Sequence, residues 1–240
     1  MKTNRTLLIY PLCVMGMAFF LLCACKKDED NTITEPIPIP TPTNTVTDVD
    51  GNIYHYVTIG TQVWMVENLK VIHYRNGDSI PNVPDDTQWS SLTTGAYSDY
   101  ENTESNSSVY GRLYNWFVVS DSRNICPAGW HSPSVTEFNT LISYLGGTSV
   151  AGGKLKETGT AHWLSPNTGA TNETGFTALP GGTRNNSGSF SNAYNHGYWW
   201  TGTEMDPTNA WSYNINYNHS DIYNTYDLKP TGFSIRCIKD

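Results

Sequence analysis

Charged side chains are scarce in this 240-residue chain: Asp, Glu, Lys and Arg together make up 15% of it, against about a quarter in an ordinary globular protein. Basic residues are the scarcer sign, 14 against 22 acidic, for a formal net charge of −8. So little positive charge is available to neutralise phosphates that nucleic-acid binding is disfavoured. The common enzyme templates are missing as well. There is no His-x-x-x-His or His-Glu-x-x-His metal spacing, no phosphate-cradling glycine loop and no Gly-x-Ser-x-Gly elbow. No Cys-x-x-Cys occurs, the six histidines are scattered, and no internal repeat is visible. Aromatic residues, by contrast, reach 12%. Disordered chains avoid aromatics and carry dense charge, so most of this one is expected to fold. Its Asn, Thr, Ser, Gly, Trp and Tyr richness suits a β-rich extracytoplasmic module.

The N-terminus reads as an address. Lys2 and Arg5 precede a nearly unbroken apolar run from Leu7 to Leu22, the layout of a secretory leader. The run closes on Leu22-Cys23-Ala24-Cys25. That pattern resembles the bacterial lipobox, in which Cys25 is acylated and becomes the mature N-terminus. Several acyl chains on one residue anchor a soluble domain firmly, each buried methylene adding about 0.8 kcal/mol. The following Lys26-Lys27-Asp28-Glu29-Asp30 resembles the acidic signal that sends Bacteroidetes lipoproteins to the outer face of the outer membrane. Loss of residues 1–24 removes two positive charges and no negative one, taking −8 to −10. Next come prolines at 36, 38, 40 and 42. Alternating proline forbids a helix or an inner strand, so residues 25–45 read as a lipidated cysteine on an extended spacer, rising about 3.1 Å per residue.

Residues 46–240 then read as one α+β domain. Ile53, His55, Val57 and Ile59 alternate with Tyr54, Tyr56 and Thr58 in a half-buried strand. Gly60-Thr61 turns it into Val63–Val66 as a hairpin. Residues 76–109 read as loop, and Tyr110–Ser120 as a short buried helix. The strongest helix signal follows. Ser134 and Glu137 make a capping box, Phe138, Leu141, Ile142 and Leu145 share one face, and Gly146-Gly147 stops the helix. Residues 148–197 read as mostly irregular. Strands return with Trp211, Tyr213, Ile215 and Tyr217 alternating against Ser212, Asn214, Asn216 and Asn218, and end with Phe233, Ile235 and Cys237 on one face.

Two cysteines leave with the leader and Cys25 takes lipid. Cys126 and Cys237 remain, an even pair in an oxidising compartment. A bridge would close a loop of about 110 residues, for which chain entropy gives about 4 to 5 kcal/mol. A reactive thiol or a metal ligand are the alternatives, and neither has a supporting motif.

Four stretches together resemble the Fibrobacter succinogenes major paralogous domain. They are Ile59–Lys70 (IGTQVWMVENLK), Tyr110–Trp116 (YGRLYNW), Cys126–His131 (CPAGWH) and Gly232–Cys237 (GFSIRC), with Gly175–Gly182 (GFTALPGG) also fitting. The resemblance covers about residues 48–240. It implies a C-type-lectin-like fold: a small twisted antiparallel sheet, one or two flanking helices, long irregular loops and neighbouring termini. It implies a helix-to-last-strand disulfide too, which suits Cys126 and Cys237. The family is found in lipoproteins and has no established activity. Oxidases of similar fold need a reactive cysteine pair near the C-terminus, which this chain lacks. The Glu-Pro-Asn and Trp-Asn-Asp calcium signatures of sugar-binding relatives are also missing. Glu204, Asp206, Asn209, Asp221 and Asp227 still offer oxygens for calcium, without a motif. No other cofactor is expected.

The motif residues read first as structural: Trp64, Trp116 and Trp130 as core, and Arg112 and Arg236 as partners of Glu67 or Glu137. Binding chemistry concentrates near the C-terminus. Tyr198, Trp199, Trp200 and Tyr223 lie among Asn214, Asn216 and Asn218. Rigid amphipathic rings beside adaptable amides are the chemistry of recognition surfaces. The expectation is a cell-surface lipoprotein displaying a non-catalytic domain that binds a glycan or a protein. A structural adhesin or appendage subunit is the second reading, a hydrolase or oxidase the third.

Overall fold

The computed structural model describes residues 44–240. The leader, Cys25 and the proline-rich spacer up to residue 43 lie outside the described residues.

Strands β1 (Thr45–Thr47), β2 (Ile53–Ile59) and β3 (Gln62–Met65) form an antiparallel meander. The β2–β3 turn is the expected one, with Ile59 opposite Gln62 and Gly60 at φ 62°, a left-handed angle that glycine adopts without strain. Neither face of β2 is wholly inward: Ile59 is buried and Val57 half-buried on one side, Tyr54 on the other. Ile53 is 58% exposed, whereas Tyr54 is fully buried and donates its hydroxyl to Asp48 at 2.7 Å.

Between β3 and the next long element the chain is mostly irregular. It carries the short helix α1 (Asp86–Ser90), β4 (Tyr97–Ser98), α2 (Glu104–Tyr110), β5 (Leu113–Tyr114) and the single turn α3 (Trp116–Val119). The buried helix expected over Tyr110–Ser120 is thus interrupted. Gly111 sits at φ 77°, and a Cβ there would lie 2.6 Å from that of Asn68, so the chain turns out of helix to pass this neighbour.

Strand β6 (Trp130–His131) leads into α4 (Val135–Tyr144), which has the expected capping box and buries Phe138, Leu141 and Ile142. A further helix, α5 (Thr148–Leu155), stands where irregular chain was expected. Gly152 and Gly153 weaken its helical signal. They are there because a Cβ on Gly152 would come within 2.1 Å of the Asp221 carbonyl oxygen.

The hairpin β7 (Gly181–Arg184) and β8 (Phe190–Ala193) precedes the three long strands β9 (His196–Glu204), β10 (Asn209–Asn216) and β11 (Ile222–Leu228). These three make an antiparallel sheet ordered β11-β10-β9. The last strand, β12 (Ile238–Lys239), inserts between β3 and β6, completing a five-stranded antiparallel sheet ordered β1-β2-β3-β12-β6. The chain is therefore sheet-rich with few helices, an α+β arrangement. One apolar cluster gathers Tyr54, Met65, Tyr114, Trp116, Trp200 and Ile235. A second joins α4 and α5 to the sheets through Trp64, Phe138, Leu141, Trp199 and Ile215. Cys126 and Cys237 form a disulfide, both fully buried in the first cluster, tying the loop before β6 to the segment entering β12.

Candidate functional site

Strand alternation sorts the candidate residues of the three-stranded sheet. Tyr198 of β9, Asn214 of β10 and Tyr223 of β11 stand opposite one another in one cross-strand row. The next row on this face is Trp200, Ser212 and Thr225, and Asp227 follows on β11. Hydroxyl and amide groups link these rows. Asn214 Nδ2 lies 3.4 Å from Thr225 Oγ1, Thr225 Oγ1 2.9 Å from Ser212 Oγ, and Ser212 donates to Asp227 Oδ2 at 2.7 Å. Burial raises the Asp227 carboxyl above its ordinary value, and the Ser212 and Thr225 hydroxyls only partly oppose this.

Asp227 faces a cleft of about 330 Å³ where the polar face of the sheet meets the β7–β8 hairpin. Polar lining comes from Thr183, Asn185, Asn186 and Asn192 on the hairpin side, from Tyr198, Asn209 and Asp227 on the sheet side, and from Thr231 after β11. Tyr198 belongs to a ring stack. Its near-parallel neighbours are His196, with centroids 5.5 Å away, and Phe233, 4.8 Å away, and Phe233 in turn meets Trp200 at 4.6 Å. With both ring faces covered, Tyr198 offers its edge and hydroxyl. That hydroxyl accepts from Asn192 Nδ2 at 3.0 Å, leaving its own proton to donate. Tyr226 and Leu228 border the cleft, but the Tyr226 ring turns to the other sheet face, edge-on to Trp211 at 5.8 Å.

Two of the expected ligand-facing rings are core instead. Trp199 and Trp200 are 2% and 0% exposed, and each indole N–H is already donated, Trp199 to Asn68 Oδ1 at 2.8 Å and Trp200 to the Tyr114 carbonyl at 2.9 Å. Consecutive strand residues face opposite sides, and here both sides are covered, one by the α4–α5 layer and the other by Phe233 and β5. Asn216 ends β10 and Asn218 lies in the turn beyond it, and neither lines the cleft. The Asn216 carbonyl and those of Thr168 and His219 hold the Lys156 ammonium at 2.8 to 3.0 Å. Burial draws the Lys156 pKa down to about 8. Asn218 is exposed and its amide N–H donates to the Asn216 side chain. Asn185, Asn186, Asn192 and Thr183 escaped the sequence reading, because their approach to Asp227 arises only when the hairpin folds over the sheet. Their one visible signal was an Asn-Asn-Ser-Gly run of turn type.

Neither motif arginine pairs as expected. Arg112 meets Asp99, while Glu67 holds His55 at 2.7 Å and Glu137 holds His131 at 2.8 Å. Among the described residues Arg236 has no carboxylate within ion-pair distance. It donates to Asn68 Oδ1 through Nε and Nη2, at 3.1 and 2.9 Å, and to the Phe176 carbonyl through Nη1. Burial draws its pKa down to about 9. The acidic oxygens considered for calcium do not converge. Glu204 binds Lys229 at 2.6 Å, and Asp206 is closed within its own turn by Thr208 and Asn209. Among the described residues no three His, Cys, Asp or Glu side chains gather as a metal site would require.

The site thus belongs to a sheet-rich α+β domain with a polar, amide-lined cleft. The chain is a member of the Fibrobacter succinogenes major domain family, whose model matches residues 57–239. No curated protein matches it, and no solved structure does.

Proposed function

We propose that this protein is a lipid-anchored, cell-surface module of C-type-lectin-like fold whose cleft binds a glycan or protein ligand without transforming it. The observation that carries this reading is the composition of the cleft: four asparagine side chains, those of Asn185, Asn186, Asn192 and Asn209, a tyrosine hydroxyl and a carboxylate line about 330 Å³. Such groups recognise ligands through many directed, exchangeable hydrogen bonds. A single carboxylate supports binding over turnover, since glycoside hydrolysis uses two flanking carboxyl groups. The lipobox at Cys25 and the acidic run behind it support export to the outer membrane surface.

Binding of the full-length, detergent-solubilised protein to arrayed glycans and to surface-protein extracts tests the cleft. Loss of the signal in Asn192→Ala and Tyr198→Phe supports it, and unchanged binding in both rejects it. For the anchor, wild-type protein is expected to incorporate labelled palmitate and partition into membranes, and Cys25→Ser is expected to do neither. A second reading, a structural subunit engaged in assembly, is favoured by one feature. Strand β11 is a sheet edge bearing exposed Tyr223, Tyr226 and Leu228, and open edges template pairing between chains. Concentration-dependent oligomers in sedimentation, abolished by Tyr226→Lys, would establish it.

A further inference from the structure

The same cleft has a charge character that the binding reading leaves open, and the inference drawn here rests on that reading. Asp227 is its one charged lining residue. The two cations adjacent in sequence to lining residues are both withdrawn. Arg184, next to Thr183 and Asn185, is fully buried, donates to the Pro84 carbonyl and Asp86, and lies between the rings of Trp89 and Phe190. Lys229, two residues beyond Asp227, binds Glu204 and the Pro207 carbonyl, with its ammonium 4.9 Å from the Trp116 ring. No ammonium or guanidinium among the described residues therefore reaches the cleft to meet an anion.

Hydrogen-bonding capacity is distributed in a matching way. The Asp227 carboxyl receives Ser212 on Oδ2, and Oδ1 has no intramolecular donor among the described residues. The Tyr198 hydroxyl, with Asn192 donating to it, retains a proton to give. Asp227 and Tyr198 line the same cleft from the two outer strands of the sheet, so acceptor and donor face one ligand space. Asn185 spends its Nδ2 on Ser189 and Ser191 and keeps its oxygen, while Asn186 is exposed. An acceptor and a donor facing one cleft complement a ligand's hydroxyl groups, each of which both donates and accepts. A carboxylate or sulfate on the ligand would instead face Asp227 without a counter-charge, in a site already partly desolvated. Calcium cannot mend this, because one carboxylate among amides is a poor set for a cation that takes six to eight oxygens.

We infer that the cleft selects uncharged, hydroxyl-rich saccharides, holds them without calcium through Asp227 and Tyr198, and excludes acidic ones. The test uses the full-length protein against matched neutral and uronate oligosaccharides of equal length, by titration calorimetry with and without EDTA. The expected result is binding of the neutral series at least tenfold tighter than the uronate series, unchanged by EDTA. Asp227→Asn should weaken the neutral ligand by about tenfold and narrow the gap between the two series. Asn186→Lys, at an exposed position where folding is undisturbed, should narrow it from the other side by admitting uronates. Uronates binding as tightly as neutral sugars, or loss of binding in EDTA, overturns the inference while leaving the binding site standing. Silence from both series, together with a negative glycan array and binding to a protein extract that depends on Tyr198, overturns it in favour of a protein ligand. Silence in all of these removes the binding reading itself.

Discussion

Asn68 shows how much a single amide can hold in place. Its oxygen accepts from Trp199 Nε1 and from two nitrogens of Arg236, and its Nδ2 donates to the Tyr110 carbonyl at 2.8 Å. It thereby joins the chain after β3 to β9, to the last segment before β12 and to the end of α2. Removing it strands a fully buried guanidinium, whose remaining hydrogen bond goes to Phe176 and whose plane rests 4.1 Å from that ring. An orphaned buried charge is far costlier than a lost neutral hydrogen bond. Asn68→Ala is therefore expected to lower unfolding free energy by about 3 kcal/mol or more, read from denaturant melts. His131 is a second informative residue. Burial draws its pKa down, but hydrogen bonds to Asp240 at 2.6 Å and Glu137 at 2.8 Å more than offset this, and the net displacement is upward from 6.5. A raised histidine pKa contributes stability that is complete below the unfolded value and is lost as pH rises through the folded one. The stability gap between wild type and His131→Gln should therefore be widest near pH 6 and shrink towards pH 8, in melts across about that range. An unchanging gap would remove the charged histidine from the account.

At the scale of elements, local signals and packing demands part company. Helix α4 announces itself because its capping box and apolar spacing lie within a dozen residues. Helix α5 does not, because close approach of the turn before β11 to Gly152, and of the Gly169 carbonyl to Gly153, demands glycine in the middle of it, at the expense of propensity. Gly152→Ala would improve the helix in isolation but drive a methyl into the Asp221 carbonyl. A net loss of about 1 to 3 kcal/mol is expected, with the largest gain in hydrogen exchange at β11 and the β10–β11 turn. A stabilised variant would contradict the close approach. Strand β9 is a similar case. Its Trp199-Trp200 pair reads from sequence as an aromatic surface, and it is buried because both faces of the strand are covered, by α4 and α5 on one side and by Phe233 on the other. A sheet covered on both sides loses the alternation that marks an exposed face.

For the molecule as a whole, the disulfide has the longest reach. Cys126 and Cys237 are separated by 111 positions, and their bridge restrains most of the domain in the unfolded state. Reduction, or Cys126→Ser with Cys237→Ser, is expected to cost about 2 to 5 kcal/mol, measured as a shift in denaturation midpoint with the slope also recorded. The bridge lies at the β3–β12–β6 side, whereas the cleft rests on the β9–β11 sheet and the β7–β8 hairpin. Ligand binding below the melting temperature should survive reduction, a direct check that stability and recognition are carried by different parts of the domain.

Sequence by itself determined what depends on neighbours along the chain. The β2–β3 hairpin, the α4 cap and stop, the alternation of β10 and the pairing capacity of two leftover cysteines were all legible there. So was membership of the family, because its motifs keep fixed local spellings from Ile59 to Cys237. Tertiary structure alone decided which rings are buried, which strand face is free, and that Asn185, Asn186 and Asn192 come to lie opposite Asp227. The reason is physical: local conformation follows from backbone preferences over a few residues, while exposure depends on what a distant segment covers. Asp227 and the β7–β8 hairpin become neighbours only after the 33 residues between Ala193 and Asp227 have folded into three strands.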